Sequence, residues 1–171
     1  MSSFHWEENI SLQYYNTFKI QVIARYVVRI QNKSLDKLIK SPLFQTHVIL
    51  GGGSNLLFVE KSYDGVFLKN KILGIEPISR AHTHTSLKVG GGVTWGSLVD
   101  YCLTHNLGGI ENLSFIPGTV GAAPIQNIGA YGVELSDVLE SVEIVDLMDG
   151  KTRTMTRAEC QSGLPMLLTI D

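Results

Sequence analysis

Two stretches of small residues carry what chemistry this chain has to offer. Gly51-Gly52-Gly53-Ser54-Asn55 follows the apolar run Thr46 to Leu50. A glycine loop at a strand end can turn several backbone N–H groups toward a phosphate, and the Ser54 hydroxyl adds another donor. It is not a Walker loop, because no Gly-Lys-Ser/Thr closes it and no helical pattern follows. The second stretch, Ile116 to Gly132, reads Ile-Pro-Gly-Thr-Val-Gly-Ala-Ala-Pro-Ile-Gln-Asn-Ile-Gly-Ala-Tyr-Gly. It has no charge, and Gln126 and Asn127 are its only strongly polar side chains. Pro117 and Pro124 lack donors and the glycines lower propensity, so it suits neither helix nor strand. It suits backbone lying close against something flat or anionic, and its plain alternative is a buried connection between packed layers. Together the loops suggest a ligand with a pyrophosphate and a planar ring, gripped by backbone. Ala122, Ala123 and Ala130 would let the ring approach, and Gln126, Asn127 or main-chain amides would bond its heteroatoms.

The remaining candidates are weaker. Gly90-Gly91-Gly92-Val93-Thr94-Trp95-Gly96 has the spacing G-x-G-x-x-x-G, one residue too long for a dinucleotide fingerprint, and reads as a strand-to-helix turn. His82 and His84 alternate as on one strand face but have no further ligand nearby, so a metal site is not expected. Cys102 falls on the apolar side of a helix and reads as core. Asp137, Glu140 and Glu143 read as surface charges, and no Ser/His/Asp set or carboxylate pair is present.

These loops must be held by an ordinary globular core. The 171 residues are 44% hydrophobic and 18% charged, with a net charge of -2, which gives no reason to invoke nucleic acid or an anionic membrane surface. No apolar run is long enough to span a bilayer, and Met1 to Asn9 does not resemble a signal peptide. Two distant cysteines without a Cys-x-x-Cys motif fit a reduced, cytoplasmic setting.

Met1 to Ser11 reads as polar and frayed, and Asn16-Thr17-Phe18 as an anchor for the entry into the domain. Ala24 to Ile30 reads as a strand, and Leu35, Leu38 and Ile39 as a short helix with Ser34 as N-cap. Thr46 to Leu50 is a strand, and Tyr63-Asp64-Gly65 turns into another at Val66 to Asn70. Leu87 to Val89 leads into the second glycine cluster. Thr94 then caps a helix whose Trp95, Leu98, Val99, Cys102 and Leu103 share one face, closed by Gly108-Gly109. Ser141 to Leu147 and Lys151 to Thr156 flank Met148-Asp149-Gly150 as a hairpin, and Thr156 to Glu159 has capping-box spacing.

Asn16-Thr17-Phe18, Leu50 to Leu57, Val89 to Gly92 with Trp95, and above all Glu111-Asn112-Leu113 through Gly132 resemble the UDP-N-acetylenolpyruvoylglucosamine reductase (UDP-N-acetylmuramate dehydrogenase) family. The resemblance runs in order from about Asn16 to Cys160. It implies an α+β fold, a two-subdomain FAD-binding domain of the vanillyl-alcohol-oxidase (PCMH) type. The expected organisation is a flexible segment 1–15, subdomains over 16–75 and 76–160, and a divergent tail 161–171, with the substrate-binding domain absent. Gly51, Gly52, Gly53, Ser54 and Asn55 would hold the FAD pyrophosphate. Pro117, Gly118, Gly121, Ala122, Gln126, Asn127, Gly129, Ala130, Tyr131 and Gly132 would line the flavin. In the family NADPH reduces the flavin, and the hydride passes to UDP-N-acetylglucosamine enolpyruvate during cytoplasmic peptidoglycan precursor synthesis. A serine, an arginine and a glutamate assist that transfer.

This sequence departs from the family after Glu159-Cys160. It reads Gly163-Leu164-Pro165-Met166 where a Gly-Tyr-Arg-Asp-like motif is expected, and the serine and glutamate belong to later segments. No catalytic residue is therefore assigned, and the change near Ser162 reads as a premature end. The rival expectations are a non-catalytic flavin-binding fragment or remnant, and a fragment of an FAD-linked oxidase.

Overall fold

The computed structural model describes residues 4–32, 35–161 and 168–169. Its first sheet has four strands, β1 (Trp6–Ser11), β2 (Ile23–Ile30), β3 (His47–Leu50) and β4 (Ser62–Asn70), in the spatial order β1-β2-β4-β3. β1 runs antiparallel to β2, whereas β2 and β3 both run parallel to β4. A parallel central strand is covered on both faces, which is why Val66-Phe67-Leu68 is an unbroken apolar run. Val66 and Leu68 face a core with Val28, Ile30, Leu35, Leu38 and Phe44. Phe67 faces the opposite core with Leu12, Val22, Ala24, Val27 and Leu50. The crossover from β2 to β3 contains the one-turn helix α1 (Asp36–Ile39); the expected Ser34 cap lies outside the described residues.

The N-terminal segment expected to be flexible is ordered from the first described residues. β1 pairs along β2, Trp6 meets Tyr26 edge-on at 5.7 Å between centroids, and Arg29 pairs with Glu7 at 2.9 Å. An edge strand has one wet side, so its sequence looks polar even when paired. Tyr63-Asp64-Gly65 is likewise strand and not turn. Gly65 is needed inside β4 because a Cβ there would lie 2.8 Å from the Thr46 carbonyl oxygen.

The second half begins with the hairpin β5 (Ile75–Arg80) and β6 (Thr85–Val89). β5 escaped the sequence reading because Pro77 argues against a strand; it is tolerated at a sheet edge, beside a register shift. His82 and His84 sit in the connecting loop, not on a strand face, with Ala81 N–H donating to the His84 carbonyl at 2.8 Å. No group of three or more metal-ligating side chains occurs among the described residues. No helix among them is long and apolar enough to cross a membrane.

Helix α2 (Trp95–Thr104) starts as expected, with the Thr94 hydroxyl accepting from Ser97 N–H at 3.2 Å. Trp95, Leu98, Val99 and Cys102 enter a core with Val89, Val93, Ile110, Leu113 and Ala123. The Trp95 indole N–H donates to the Leu113 carbonyl at 2.8 Å, and burial pushes the Cys102 thiol pKa up. The helix ends at Asn106, not at the glycine pair. Asn106 has φ +55, its N–H reaches the Leu103 carbonyl and Leu107 N–H reaches that of Cys102. This is a Schellman cap built on asparagine. Asn106→Ala is expected to cost ~1 kcal/mol in denaturant unfolding and Asn106→Gly to cost nothing, since only the left-handed backbone is at issue.

Past the central stretch come two-residue strands β7 (Gly129–Ala130) and β8 (Val133–Glu134) and a short helix α3 (Leu135–Val138). The expected hairpin follows as β9 (Ser141–Val145) and β10 (Thr152–Thr156), then α4 (Arg157–Gln161). Thr156 N–H donates to the Glu159 carboxylate at 2.7 Å, closing the predicted capping box. β11 (Leu168–Thr169) pairs with β9. Val145 and Leu147 pack back against the first sheet's core, joining the two halves. Gly163 to Met166 lie outside the described residues.

Candidate functional site

The two small-residue loops lie backbone against backbone. A Cβ on Gly52 would come within 2.6 Å of Gly118 Cα, and one on Gly51 within 2.9 Å of Ala122 Cβ. No residue but glycine lets the loops approach this closely at Gly52. Ser54 Oγ donates to the Pro117 carbonyl at 3.4 Å, and Asn55 Nδ2 to Gln126 Oε1 at 3.1 Å.

Each loop is fixed from behind by a different part of the chain. Asn16 is buried, donating to the carbonyls of Leu12 and Ile20 and accepting from Ile20 N–H, and so closes the 12–20 segment into a tight loop. That loop forms the floor beneath Gly53: Thr17 N–H donates to the Gly53 carbonyl at 3.2 Å. The Asn16-Thr17-Phe18 motif thus has a structural task. The belt 117–121 lies beside residues 91–95, with Trp95 N–H donating to Gly118, Val120 N–H to Val93 and Gly121 N–H to Gly91. Gly90 and Gly92 in turn press on residues 71–73, where a Cβ would stand 2.5 Å from the Ile72 carbonyl oxygen and 2.8 Å from Lys71 Cα respectively. The second glycine cluster packs layers, in keeping with the strand-to-helix turn expected of it.

Between the loops is a cavity of about 220 Å³. Gly51, Gly52, Gly53, Ser54, Asn55, Pro117, Gly118, Gly121, Ala122 and Gln126 all line it. Asn127, Gly129, Ala130 and Gly132 instead line a shallower depression next to it, with Glu134 and Asp137. Tyr131 lines neither and is 89% exposed. Asn127 is already committed: Nδ2 donates to Glu134 at 2.7 Å and Oδ1 accepts from Ser136 N–H at 3.0 Å. Its side chain ties the belt to α3, which the sequence did not disclose.

The belt is also more regular than its composition suggested. Val120–Gln126 forms a 3-10 helix, ended by Asn127 at φ +42. Pro124 lies inside this helix, where its missing N–H leaves one i→i−3 hydrogen bond unmade.

The chemistry of the cavity is that of exposed donors. Among the described residues, the amides of Gly52, Gly53, Ser54 and Asn55 donate to no protein acceptor, nor do those of Gly118 and Thr119. Consecutive unpaired N–H groups of this kind make an anion-binding concavity. No carboxylate lines the cavity, while apolar Leu50, Leu56, Ile116, Ile125 and Ile128 do. Sequence reasoning missed Asn70, Thr119 and Ile128 as lining residues. Asn70 has a readable signal, since ligands gather at the carboxyl ends of parallel strands, and it ends β4.

Comparison with known proteins agrees with this geometry. Residues 45–156 match the FAD binding domain family, a span containing both loops. UDP-N-acetylenolpyruvoylglucosamine reductase of Amoebophilus asiaticus is 48% identical over 157 residues, covering 90% of this chain and 46% of that protein. The Vibrio parahaemolyticus protein of the same name is 43% identical over 162 residues, covering 92% and 46%. The chain thus spans about half the length of these relatives. Among solved structures, the reductase of that name from Thermus caldophilus superposes with TM-score 0.78 at 23% identity, over 98% of this chain and 60% of that one. A solvent-stable cholesterol oxidase superposes with TM-score 0.67 at 15% identity, over 98% of this chain and 37% of that one. The α+β class and the vanillyl-alcohol-oxidase (PCMH) type of fold read from the sequence both hold. With its paired loops and their free amides inside the matched span, the chain belongs to the FAD-binding domain family and is the FAD-binding region of a UDP-N-acetylenolpyruvoylglucosamine reductase-type protein.

Proposed function

We propose that this chain binds FAD across its two loops and serves the NADPH-dependent reduction of UDP-N-acetylglucosamine enolpyruvate in the cytoplasm. One observation carries the cofactor half of the reading: the run of unpaired amides Gly52 to Asn55, facing a cavity that contains no acidic side chain. A pyrophosphate needs that set of donors, and an unoccupied row of amides is otherwise costly wherever water is excluded. Bound FAD supplies hydride exchange, which no side chain of this chain can provide. The protein's own part is to hold and orient. Gly52 to Asn55 would bind the pyrophosphate, Gly118 and Thr119 would add amides from the facing loop, and Ile116, Ala122 and Ile125 would exclude water from the ring. Gln126, Asn127, Gly129, Ala130, Tyr131 and Gly132 form the outer rim of the proposed flavin site, where Tyr131 would present its ring to whatever covers the flavin. The proposed working division is residues 16–75 as the pyrophosphate-binding unit and 76–160 as the flavin-facing unit.

The enolpyruvyl substrate rests on the names of the relatives and on the resemblance of sequence, the reductant on that resemblance alone, and no residue of this chain is given a catalytic role. The test is the visible spectrum of the purified chain after incubation with FAD and desalting. A retained, perturbed flavin spectrum at one equivalent is expected, and a colourless protein would sink the proposal. Anaerobic NADPH added to the flavin-loaded chain then separates binding from reduction: bleaching shows that the first half-reaction belongs to this region.

A further inference from the structure

Lys69 is 9% exposed, near the end of β4 and directly after the apolar run Val66-Phe67-Leu68, and it has no carboxylate partner among the described residues. A buried, unpaired lysine is costly, so its retention in an apolar run needs a reason. Its ammonium donates to the Gly51 carbonyl, the first peptide of the glycine loop. In a trans peptide the C=O and the following N–H point in opposite directions. Anchoring the Gly51 oxygen on Lys69 therefore aims the Gly52 N–H away from the lysine. Lys69 itself does not line the cavity, whereas Gly51 to Asn55 do.

We propose that Lys69 is a positioning residue of the cofactor site: it holds the Gly51 carbonyl back, turns the following amides toward the bound pyrophosphate, and adds positive charge behind them. The inference rests on the FAD reading above and goes beyond it, since it concerns a residue outside the cavity and outside both loops. The charged groups around Lys69 do not provide an alternative counter-ion. Lys71, just past the end of β4, repels it, and Arg29, opposite it on β2, is engaged with Glu7 and Tyr15.

Burial, reinforced by Lys71, lowers the Lys69 pKa to about 8. The free site therefore carries its charge at pH 7 and loses it as pH rises through about 8. A nearby anion stabilises the protonated form, so by linkage FAD must bind more weakly as the proton is lost. The folding term has the opposite sign. The unfolded lysine holds its proton to higher pH, so this group's contribution to stability rises between about 8 and its ordinary range. Weaker FAD binding at pH 9 is therefore not a sign of unfolding through Lys69.

The test is FAD affinity of the full chain between pH 7 and 9, measured by quenching of flavin fluorescence, for wild type, Lys69→Met and Lys69→Arg. Methionine keeps the packed stem and removes the charge. At pH 7 Lys69→Met is expected to bind FAD about tenfold more weakly, as befits a lost charge-assisted contact, with Lys69→Arg recovering part of the loss. Wild-type affinity should fall toward that of Lys69→Met by pH 9, while the methionine variant stays flat. Equal affinity of wild type and Lys69→Met, or a wild-type profile flat over this range, overturns the proposal while leaving FAD binding intact. If Lys69→Met does not fold, as judged by circular dichroism, the wild-type profile alone decides. A wild type that binds no FAD at any pH overturns the cofactor reading and this proposal together.

Discussion

Gly52→Ala will fold and bind FAD at least about a hundredfold more weakly than wild type, a loss of roughly 3 kcal/mol. The new methyl would stand 2.6 Å from Gly118 Cα and 3.3 Å from Gly118 N and C. All three are backbone atoms, so no side chain can swing aside, and the two loops must part. Gly52 itself is exposed and its φ is not in the left-handed region, so neither core nor backbone conformation opposes the change. The fold therefore survives while the spacing between the amides of Gly52 to Asn55 and those of Gly118 and Thr119 is lost. Flavin fluorescence titration measures the affinity, and a thermal melt confirms that the protein is folded. Wild-type affinity in a folded Gly52→Ala protein would show that the facing loop contributes nothing to the cofactor's grip.

Gly53→Ala should instead unfold the protein or come close to it. Here φ is +75, which costs an alanine about 1–2 kcal/mol before any contact is considered. The methyl would also fall 1.8 Å from the Tyr15 carbonyl oxygen and 2.7 Å from its carbon. Relief requires moving the 12–20 loop, which Asn16 holds by three hydrogen bonds and whose Leu12 is fully buried. A total near ~4 kcal/mol is expected, a large part of the stability of an ordinary domain. Urea unfolding followed by circular dichroism measures it. A midpoint within error of wild type would mean that the 12–20 loop is not the rigid floor inferred for it.

The two glycines are neighbours with the same composition-level description, and only their surroundings separate a binding defect from a folding defect. The same division runs through the whole chain. Sequence alone determined the elements whose signal is local: the β2, β3 and β4 runs, the Thr94-capped helix with its 3.6-residue apolar stripe, and the Asp149-Gly150 hairpin. It also located the two loops, because glycine and proline act through their own backbone, and the belt's wording was specific enough to resemble one family.

Tertiary structure decided what depends on neighbours distant in sequence. β1 looks like frayed polar chain until β2 is beside it, and β5 looks broken by Pro77 until it is seen to be an edge. Asn127 reads as a free ligand group until Glu134 and Ser136 occupy its side chain. Gly90 and Gly92 resemble a nucleotide fingerprint until residues 71–73 are found pressed against them. Lys69 is one more residue of the strand Val66 to Asn70 in a linear view, since its meaning lies in a carbonyl 18 residues away. The sequence settled which residues are small and where the chain can bend. Close approach of two backbones, burial of a charge and the pairing of an edge are pairwise quantities, and folding alone sets them.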